Sequence, residues 1–242
     1  MASVTSSNSD IKMDINSLDQ VWQNRHNLET QEKMLKFIEE NINNPDTSRL
    51  ESFEISWRIA RFVYFIGNFG VGENLENERK ISIFQYGYQE ALKARELEPK
   101  KVEGHFWYAS NLGSYGLAKG VLSALNNARE GRDALLEAAR IDPSYMWGGP
   151  YRILGRYYQE VPSFISFGDK KIAEEYFQKA INIAPKFRLN TMYLGILKRD
   201  LGEENIAREL FLAAEKKPAV DGKTEEEKYM KELREDLKSV KD

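Results

Sequence analysis

Residues 191–214 read TMYLGILKRDLGEENIARELFLAA, and this stretch decides the fold. Its first half carries Gly195 within an apolar run, and Gly202 follows seven residues later. Its second half places Ala207 and Phe211 four residues apart, which is one turn of a helix. Glycine readily ends a helix, and small residues allow two helices to approach closely. The stretch therefore predicts two antiparallel helices joined by a short turn at Gly202.

Similar phrases recur along the chain and end at Pro99, Pro143, Pro185 and Pro218. Successive prolines are 44, 42 and 33 residues apart. The last spacing matches a helix-pair unit of about 34 residues, and the other two read as that unit with roughly 8 to 10 inserted residues. The chain thus resembles the tetratricopeptide repeat (TPR) family. The resemblance implies an all-α fold, an irregular TPR-type array of helices with a C-terminal capping helix.

Apolar periodicity predicts about eleven helices and no strand. The predicted helices lie near 17–28, 30–43, 47–67, 74–97, 101–119, 124–141, 148–160, 169–184, 187–200, 203–216 and 223–240. Residues 1–16 are expected to form a flexible tether and residues 17–242 a single TPR-like domain. Its clearest repeats are 52–99, 101–143, 148–185 and 187–218, and the helix at 223–240 has the polar outer face of a terminal cap. Asp169 is the expected N-cap of the helix that follows it.

Composition excludes several classes of protein. The chain has 242 residues, a net charge of −3 and no cysteine, so disulfide scaffolds, Cys-ligated zinc folds and thiol enzymes are ruled out. Two histidines are too few for a multi-histidine metal site. The near-neutral charge disfavours nucleic-acid binding, and the longest uncharged stretch, 104–118, falls short of the roughly 20 residues that span a bilayer. We expect a non-enzymatic protein without a metal or a cofactor.

A longer pattern covers residues 58–67, 104–113 and 148–162, the last reading GGPYRILGRYYQEVP. With it, residues 18–212 resemble the T component associated with TRAP transporters, a family of periplasmic lipoproteins. The resemblance implies a lipid-anchored periplasmic subunit that forms a homo-oligomeric ring, docks a periplasmic solute-binding protein and passes a small hydrophobic ligand. The sequence shows neither a signal peptide nor a lipid-accepting cysteine. Their removal before Met1 would explain this, and without such a signal the protein is expected in the cytoplasm.

Two alternatives remain open at this stage. One is a soluble TPR scaffold or adaptor that presents a groove to a peptide or protein partner. The other is a microtubule-associated regulator, since such proteins share a similar Gly-Pro, Leu-Gly and Tyr pattern in this type of repeat. The acidic pI of about 5.7 argues against the second alternative, because tubulin surfaces are themselves acidic.

Candidate binding residues come from three inserted segments, 67–79, 112–125 and 162–169, and from the aromatic middle repeats. Apolar residues in such insertions favour partner or ligand contact, although folding back over helix ends explains them slightly better. Aromatic residues at helical spacing are more often core, and Trp147 beside a Gly-Gly-Pro turn is the better surface candidate. The ligand- or partner-binding candidates are Trp107, Tyr108, Asn111, Tyr115, Trp147, Tyr151, Arg152, Phe164 and Phe167.

Four arginines recur on the first helices of the pairs. Arg58 and Arg61 are three residues apart, and Arg152 and Arg156 are four apart, so each pair shares a helix face. Such a pair could clamp an anionic ligand or a chain terminus. Intramolecular ion pairs, with Glu54, Glu160 or acids on stacked helices, are the favoured interpretation.

Overall fold

The computed structural model describes residues 11–12, 14–43 and 52–240. Within these ranges the chain forms eleven α-helices and one short 3-10 helix, and no strand. The helices are α1 Ile15–Gln23, α2 Leu28–Asn43, α3 Phe53–Asn68, α4 Asn77–Leu97, α5 Val102–Lys119, α6 Val121–Ile141, α7 Tyr145–Glu160, α8 Lys170–Ile183, α9 Arg188–Asp200, α10 Glu204–Glu215 and α11 Lys223–Ser239. The all-α prediction is confirmed. The 3-10 helix is Val71–Asn74, between α3 and α4.

Most predicted helix boundaries agree with the structure, and the exceptions have local causes. Helix α1 begins at Ile15, inside the predicted tether, because the Asp14 side chain caps it by accepting from the Ser17 amide at 2.9 Å. The predicted start of α3 at residue 47 lies outside the described residues, as does most of the tether. Residues 112–125, the second inserted segment, are helical on both sides of Gly120. They form the extended ends of α5 and α6, which are separated only by Gly120 in a left-handed conformation with φ of 110°.

In several helix pairs, a glycine of the first helix faces a phenylalanine of the second. Gly155 of α7 lies against Phe177 of α8, and a methyl group added to this glycine would come within 2.5 Å of the ring. Gly195 of α9 faces Phe211 of α10 in the same way, at 2.6 Å. Both rings are completely buried. The predicted role of small residues at the helix contacts is confirmed.

The predicted N-cap of α8 is present. The Asp169 carboxylate accepts hydrogen bonds from the amides of Lys171 at 2.8 Å and Ile172 at 3.2 Å. Replacing Asp169 by alanine should therefore lower the free energy of unfolding by about 1 kcal/mol, measured by urea denaturation. Glu175→Ala, at an exposed site on the same helix, should change it by less than about 0.5 kcal/mol. Equal effects of the two substitutions would contradict the capping role.

Helix α11 covers the end of the array, as predicted, by burying Tyr229 and Leu233. It also reaches the first helices, which the sequence did not indicate. Arg25, after α1, donates to Glu225 at 2.7 Å, and Lys228 donates to the backbone oxygen of Asn68 at 2.6 Å. The first and last parts of the array are therefore joined directly.

Candidate ligand-binding cavity

A cavity of about 350 Å³ lies between α1, the first helices of the pairs, α6 and the start of α11. The first helices α3, α5, α7 and α9 all contribute to its walls. Its volume falls within the range of about 300–1,000 Å³ that is typical of ligand sites. Nine of the described aromatic residues line it: Trp22, Tyr64, Phe65, Phe69, Phe106, Trp107, Tyr157, Tyr193 and Tyr229. The cavity is therefore rich in aromatic side chains, and polar and charged residues such as Asn68, Arg152 and Asp221 line it as well.

Arg152 is the buried cation of this cavity, with only 7% of its surface exposed. One of its terminal nitrogens, Nη1, donates to the backbone oxygens of Met146 at 3.2 Å and Trp147 at 3.3 Å, and to Asn190 Oδ1 at 3.1 Å. The guanidinium carbon lies 4.8 Å from the centre of the Phe187 ring. Among the described residues, no acidic side chain forms an ion pair with Arg152. These contacts fix the position of the guanidinium without an ion pair, and its charge works against the burial that raises the pKa of the nearby Asp221.

These backbone contacts also hold an unusual turn at the start of α7. Met146 and Trp147 have φ angles of 47° and 57°, in the left-handed region that side chains other than glycine rarely adopt. Asn190 Nδ2 donates to the backbone oxygen of Trp147 at 3.1 Å, which adds a second anchor from α9. Arg152 and Asn190 therefore fix this turn from the inside of the array. Positive φ angles at residues other than glycine are a form of backbone strain that is common at functional sites.

Two phenol groups line the cavity with Arg152. The hydroxyl groups of Tyr64 and Tyr193 make no hydrogen bond within the described part of the chain, and neither oxygen is sealed from solvent. Burial raises the pKa of Tyr64 well above its usual value, the neighbouring Tyr193 adds to this increase, and Arg152 opposes it. The Tyr64 phenol therefore keeps its proton near neutral pH, and a protonated phenol can donate a hydrogen bond.

Two acidic groups, Asp221 and Glu225, also line the cavity. Arg25 contacts both, at 3.6 Å and 2.7 Å respectively. Asp221 also accepts from the Tyr229 hydroxyl at 3.1 Å. Burial raises the pKa of each carboxyl group, and Arg25 works against that increase in both. These acids thus have partners of their own, and they add negative character to the cavity.

The arginine predictions can be compared with this geometry. Arg58 pairs with Glu54 at 2.6 Å and with Asp19 at 2.8 Å, and Arg156 pairs with Glu160 at 2.9 Å. The ion-pair interpretation is confirmed for these two. It is wrong for Arg152, because the backbone oxygens of the α7 turn take its hydrogen bonds instead.

Three candidate residues of α5 turn away from the cavity and into helix contacts. The Tyr108 hydroxyl donates to Glu130 of α6 at 2.7 Å, and Asn111 donates to the backbone oxygen of Ala60 in α3 at 3.0 Å. Tyr115 accepts a hydrogen bond from Lys119 at 2.6 Å and packs on Tyr88 of α4. Their positions make them packing residues. Trp107, by contrast, lines the cavity.

The remaining aromatic candidates divide between packing and exposure. Trp147 stacks on Phe187 with ring centres 5.0 Å apart, and Tyr151 stacks on Tyr176 of α8. Phe167 folds back against Tyr158 at 5.1 Å, whereas Phe164 is 87% exposed at the tip of the α7–α8 loop. The favoured interpretation, that the apolar residues of this loop fold back over the helix ends, is therefore correct for Phe167 and wrong for Phe164.

Sequence reasoning missed Tyr64 and Tyr193, although a signal was present. Three first helices of the described chain carry a glycine that packs against a phenylalanine in the second helix of their pair: Gly67 in α3, Gly155 in α7 and Gly195 in α9. Tyr64 and Arg152 each lie three residues before such a glycine, and Tyr193 lies two before it. Aligning the repeats on their packing glycines would therefore have indicated the helix face that lines the cavity.

Within the described ranges, no group of three or more histidine, aspartate or glutamate side chains is arranged to hold a metal ion. None of the helices seen there combines the length and apolar character needed to cross a membrane.

The sequence profile of the family described as Regulator of microtubule dynamics protein 1-3 matches residues 15–175. The chain belongs to this family. The match includes α1 to α7, which carry Arg152 and most of the aromatic side chains of the cavity, whereas Tyr193 and Tyr229 lie beyond it. On the sequence alone, the acidic pI argues against a microtubule-associated regulator. The family match shows that this argument is wrong as far as the family is concerned. Net charge bears on solubility and association, but it does not indicate to which family a protein belongs.

Solved structures share the TPR-like helical-repeat fold of this chain. A thermophilic TPR protein of Thermus thermophilus, TTC0263, is similar with a TM-score of 0.62 and 15% identity, over 92% of this chain and 97% of that one. MamA is similar with a TM-score of 0.50 and 16% identity, over 91% of this chain and 99% of that one. At these identities the likeness shows the fold alone. A comparison with curated proteins gives no match. The resemblance to the TRAP-associated T component receives no support from these relatives.

Proposed function

We propose that this protein is a non-enzymatic adaptor that binds a segment of a partner protein in the aromatic cavity. The observation that carries the proposal is the cavity itself, in which first helices from successive pairs present aromatic rings and the buried Arg152. Aromatic surface with a few fixed polar groups is the usual composition of a specific binding site. Repeat arrays of this kind bind partners along the surface that successive repeats share.

A peptide library displayed on phage with free C-termini and selected on the immobilised protein tests this proposal. Asn127 of α6 lines the cavity and is partly exposed, whereas the adjacent Asn126 is exposed and does not line it. Asn127→Trp should fill part of the cavity and weaken binding of the selected peptides by at least about tenfold, about 1.4 kcal/mol, in fluorescence anisotropy. Asn126→Trp adds the same side chain outside the cavity and should leave the affinity unchanged.

Two results would contradict the adaptor function at this site. One is a selection that yields no peptide with reproducible affinity. The other is equal binding of selected peptides by the two tryptophan variants, which would place the contact elsewhere on the surface. Thermal unfolding of both variants serves as the control for folding.

Regulation of microtubules is a second candidate function, favoured by the family match over residues 15–175. The experiment is co-sedimentation of the protein with polymerised tubulin, over a range of salt concentrations. Saturable binding that weakens as salt rises would support an electrostatic contact with the acidic tubulin surface. Recovery of the protein in the supernatant at every tubulin concentration would remove direct microtubule binding as a function.

The transport role stays a prediction of the T-component resemblance. Docking of a periplasmic solute-binding protein, assembly into a ring, passage of a hydrophobic ligand and a lipid anchor all belong to it. The family match and the solved relatives favour the adaptor function over this role.

A further inference from the structure

We propose that the cavity recognises a single carboxylate, the free C-terminus of the partner segment, through Arg152, Tyr64 and Tyr193. This inference rests on the proposed adaptor function and names the chemistry of its ligand. It starts from a buried guanidinium with unused donors. Nε and Nη2 of Arg152 make no hydrogen bond within the described residues, and neither atom is sealed from solvent. Because only 7% of the Arg152 surface is exposed, the cavity is the space through which these donors can be reached.

The donors match an anion rather than a neutral group. Two N–H groups on the same guanidinium can bind both oxygens of a carboxylate, and charge-assisted bonds of this kind are roughly twice as strong as neutral ones. The hydroxyls of Tyr64 and Tyr193 supply further donors on the same cavity. Desolvating the Arg152 charge is costly unless an anion neutralises it, which favours ligand binding at this position.

The charges around the cavity favour a monoanion over a phosphate. Arg25 is engaged by Asp221 and Glu225, and Arg156 is engaged by Glu160, so Arg152 is the positive charge left without an acidic partner among the described cavity residues. A phosphate monoester carries a charge of about −1.5 to −2 near neutral pH. One guanidinium cannot balance that charge, and the carboxyl groups of Asp221 and Glu225, which line the same cavity, repel a dianion more strongly than a monoanion. A carboxylate with one negative charge is balanced by Arg152 alone.

The shape of the cavity favours a chain end over an acidic side chain within a longer segment. Leu117, another lining residue, is 79% exposed and marks the open side, whereas Arg152 is buried under Phe187 and Asn190 of the following segment. A ligand that enters from the open side therefore reaches Arg152 with the part that enters first. A carboxylate at the end of a chain meets this condition. The aromatic walls along this path suit a ligand whose last residues are apolar or aromatic.

The experiment compares N-acetyl-leucyl-phenylalanine with its C-terminal amide by isothermal titration calorimetry on the full chain. The free acid should bind at least about tenfold more tightly, because the amide cannot form the charge-assisted pair. The double variant Tyr64→Phe with Tyr193→Phe, which removes only two hydroxyl oxygens, should reduce this preference. Arg152→Gln should abolish the preference. Because Arg152 also supports the α7 turn, its variant is interpreted only with a native far-ultraviolet circular dichroism spectrum.

Inorganic phosphate, added as a competitor at matched ionic strength, should not displace the free acid. Displacement by phosphate would overturn the assignment to a monoanion. Equal affinities of acid and amide, or no binding of either up to the limit of solubility, would overturn the proposal. If library peptides bind in the cavity equally well with free and amidated C-termini, the adaptor function stands and the carboxylate assignment fails. If no library peptide binds, the adaptor function fails with it.

Discussion

Replacing Arg188 by methionine should lower the free energy of unfolding by about 3–5 kcal/mol, because it leaves a buried carboxylate without its partner. Arg188, at the start of α9, is 5% exposed and donates to Glu226 of α11 at 2.6 Å. It also donates to the backbone oxygens of Ala214 at 3.0 Å and Lys217 at 2.6 Å, at and beyond the end of α10. One side chain thus connects α9, the end of α10 and α11.

Urea denaturation followed by circular dichroism measures this effect. The double variant Arg188→Met with Glu226→Leu should recover part of the loss, since it removes both buried charges. Arg140→Met is the matched control, because Arg140 is paired with Glu137 on an exposed helix face, and it should cost less than about 1 kcal/mol. A double variant no more stable than Arg188→Met alone would show that the unpaired carboxylate is not the source of the loss.

Replacing Phe177 by alanine should destabilise the protein by about 3–5 kcal/mol. Phe177 is completely buried in α8 and fills the space beside Gly155 of α7. Neither helix can close the resulting gap without moving its partner, so both the transfer of the ring and the cavity contribute to the loss.

Phe164 provides a matched control for this prediction, in the loop that joins the same two helices. Because 87% of its surface is exposed, Phe164→Ala should change the free energy of unfolding by less than about 0.5 kcal/mol. Urea denaturation of the two variants measures the difference directly. A similar stability for both would mean that the glycine–phenylalanine contact does not hold the helix pair together.

The fold could be predicted because its signals are local and repeated. Each closing proline follows the second helix of a pair, as Pro143 follows α6 and Pro185 follows α8. Helix ends depend on backbone groups within a few residues, so caps such as Asp169 are readable from the sequence. The contact between α11 and the first helices could not be predicted from the sequence. The pair of Arg25 and Glu225 joins residues 200 positions apart, and nothing in either neighbourhood indicates the other.

The candidate site could be predicted only in part, because helical periodicity identifies a buried face without saying what that face contacts. Trp107 and Tyr108 are neighbours on α5, yet Trp107 lines the cavity and Tyr108 packs toward Glu130. The hydrogen bonds of Arg152 depend on the left-handed turn at Met146 and Trp147, because this turn presents its backbone oxygens to the guanidinium. Local preferences disfavour such a turn at these residues, so tertiary contacts must hold it.

Photo-crosslinking tests most directly the claim that the inner cavity is the binding site. A library-selected peptide with a benzophenone side chain is irradiated on the intact protein, and the modified residues are mapped by mass spectrometry. The structure predicts adducts on cavity residues such as Trp107, Tyr157 and Tyr193, and their loss in Asn127→Trp. Adducts confined to the exposed loop at Phe164 and Ile165, undiminished by that substitution, would contradict the claim.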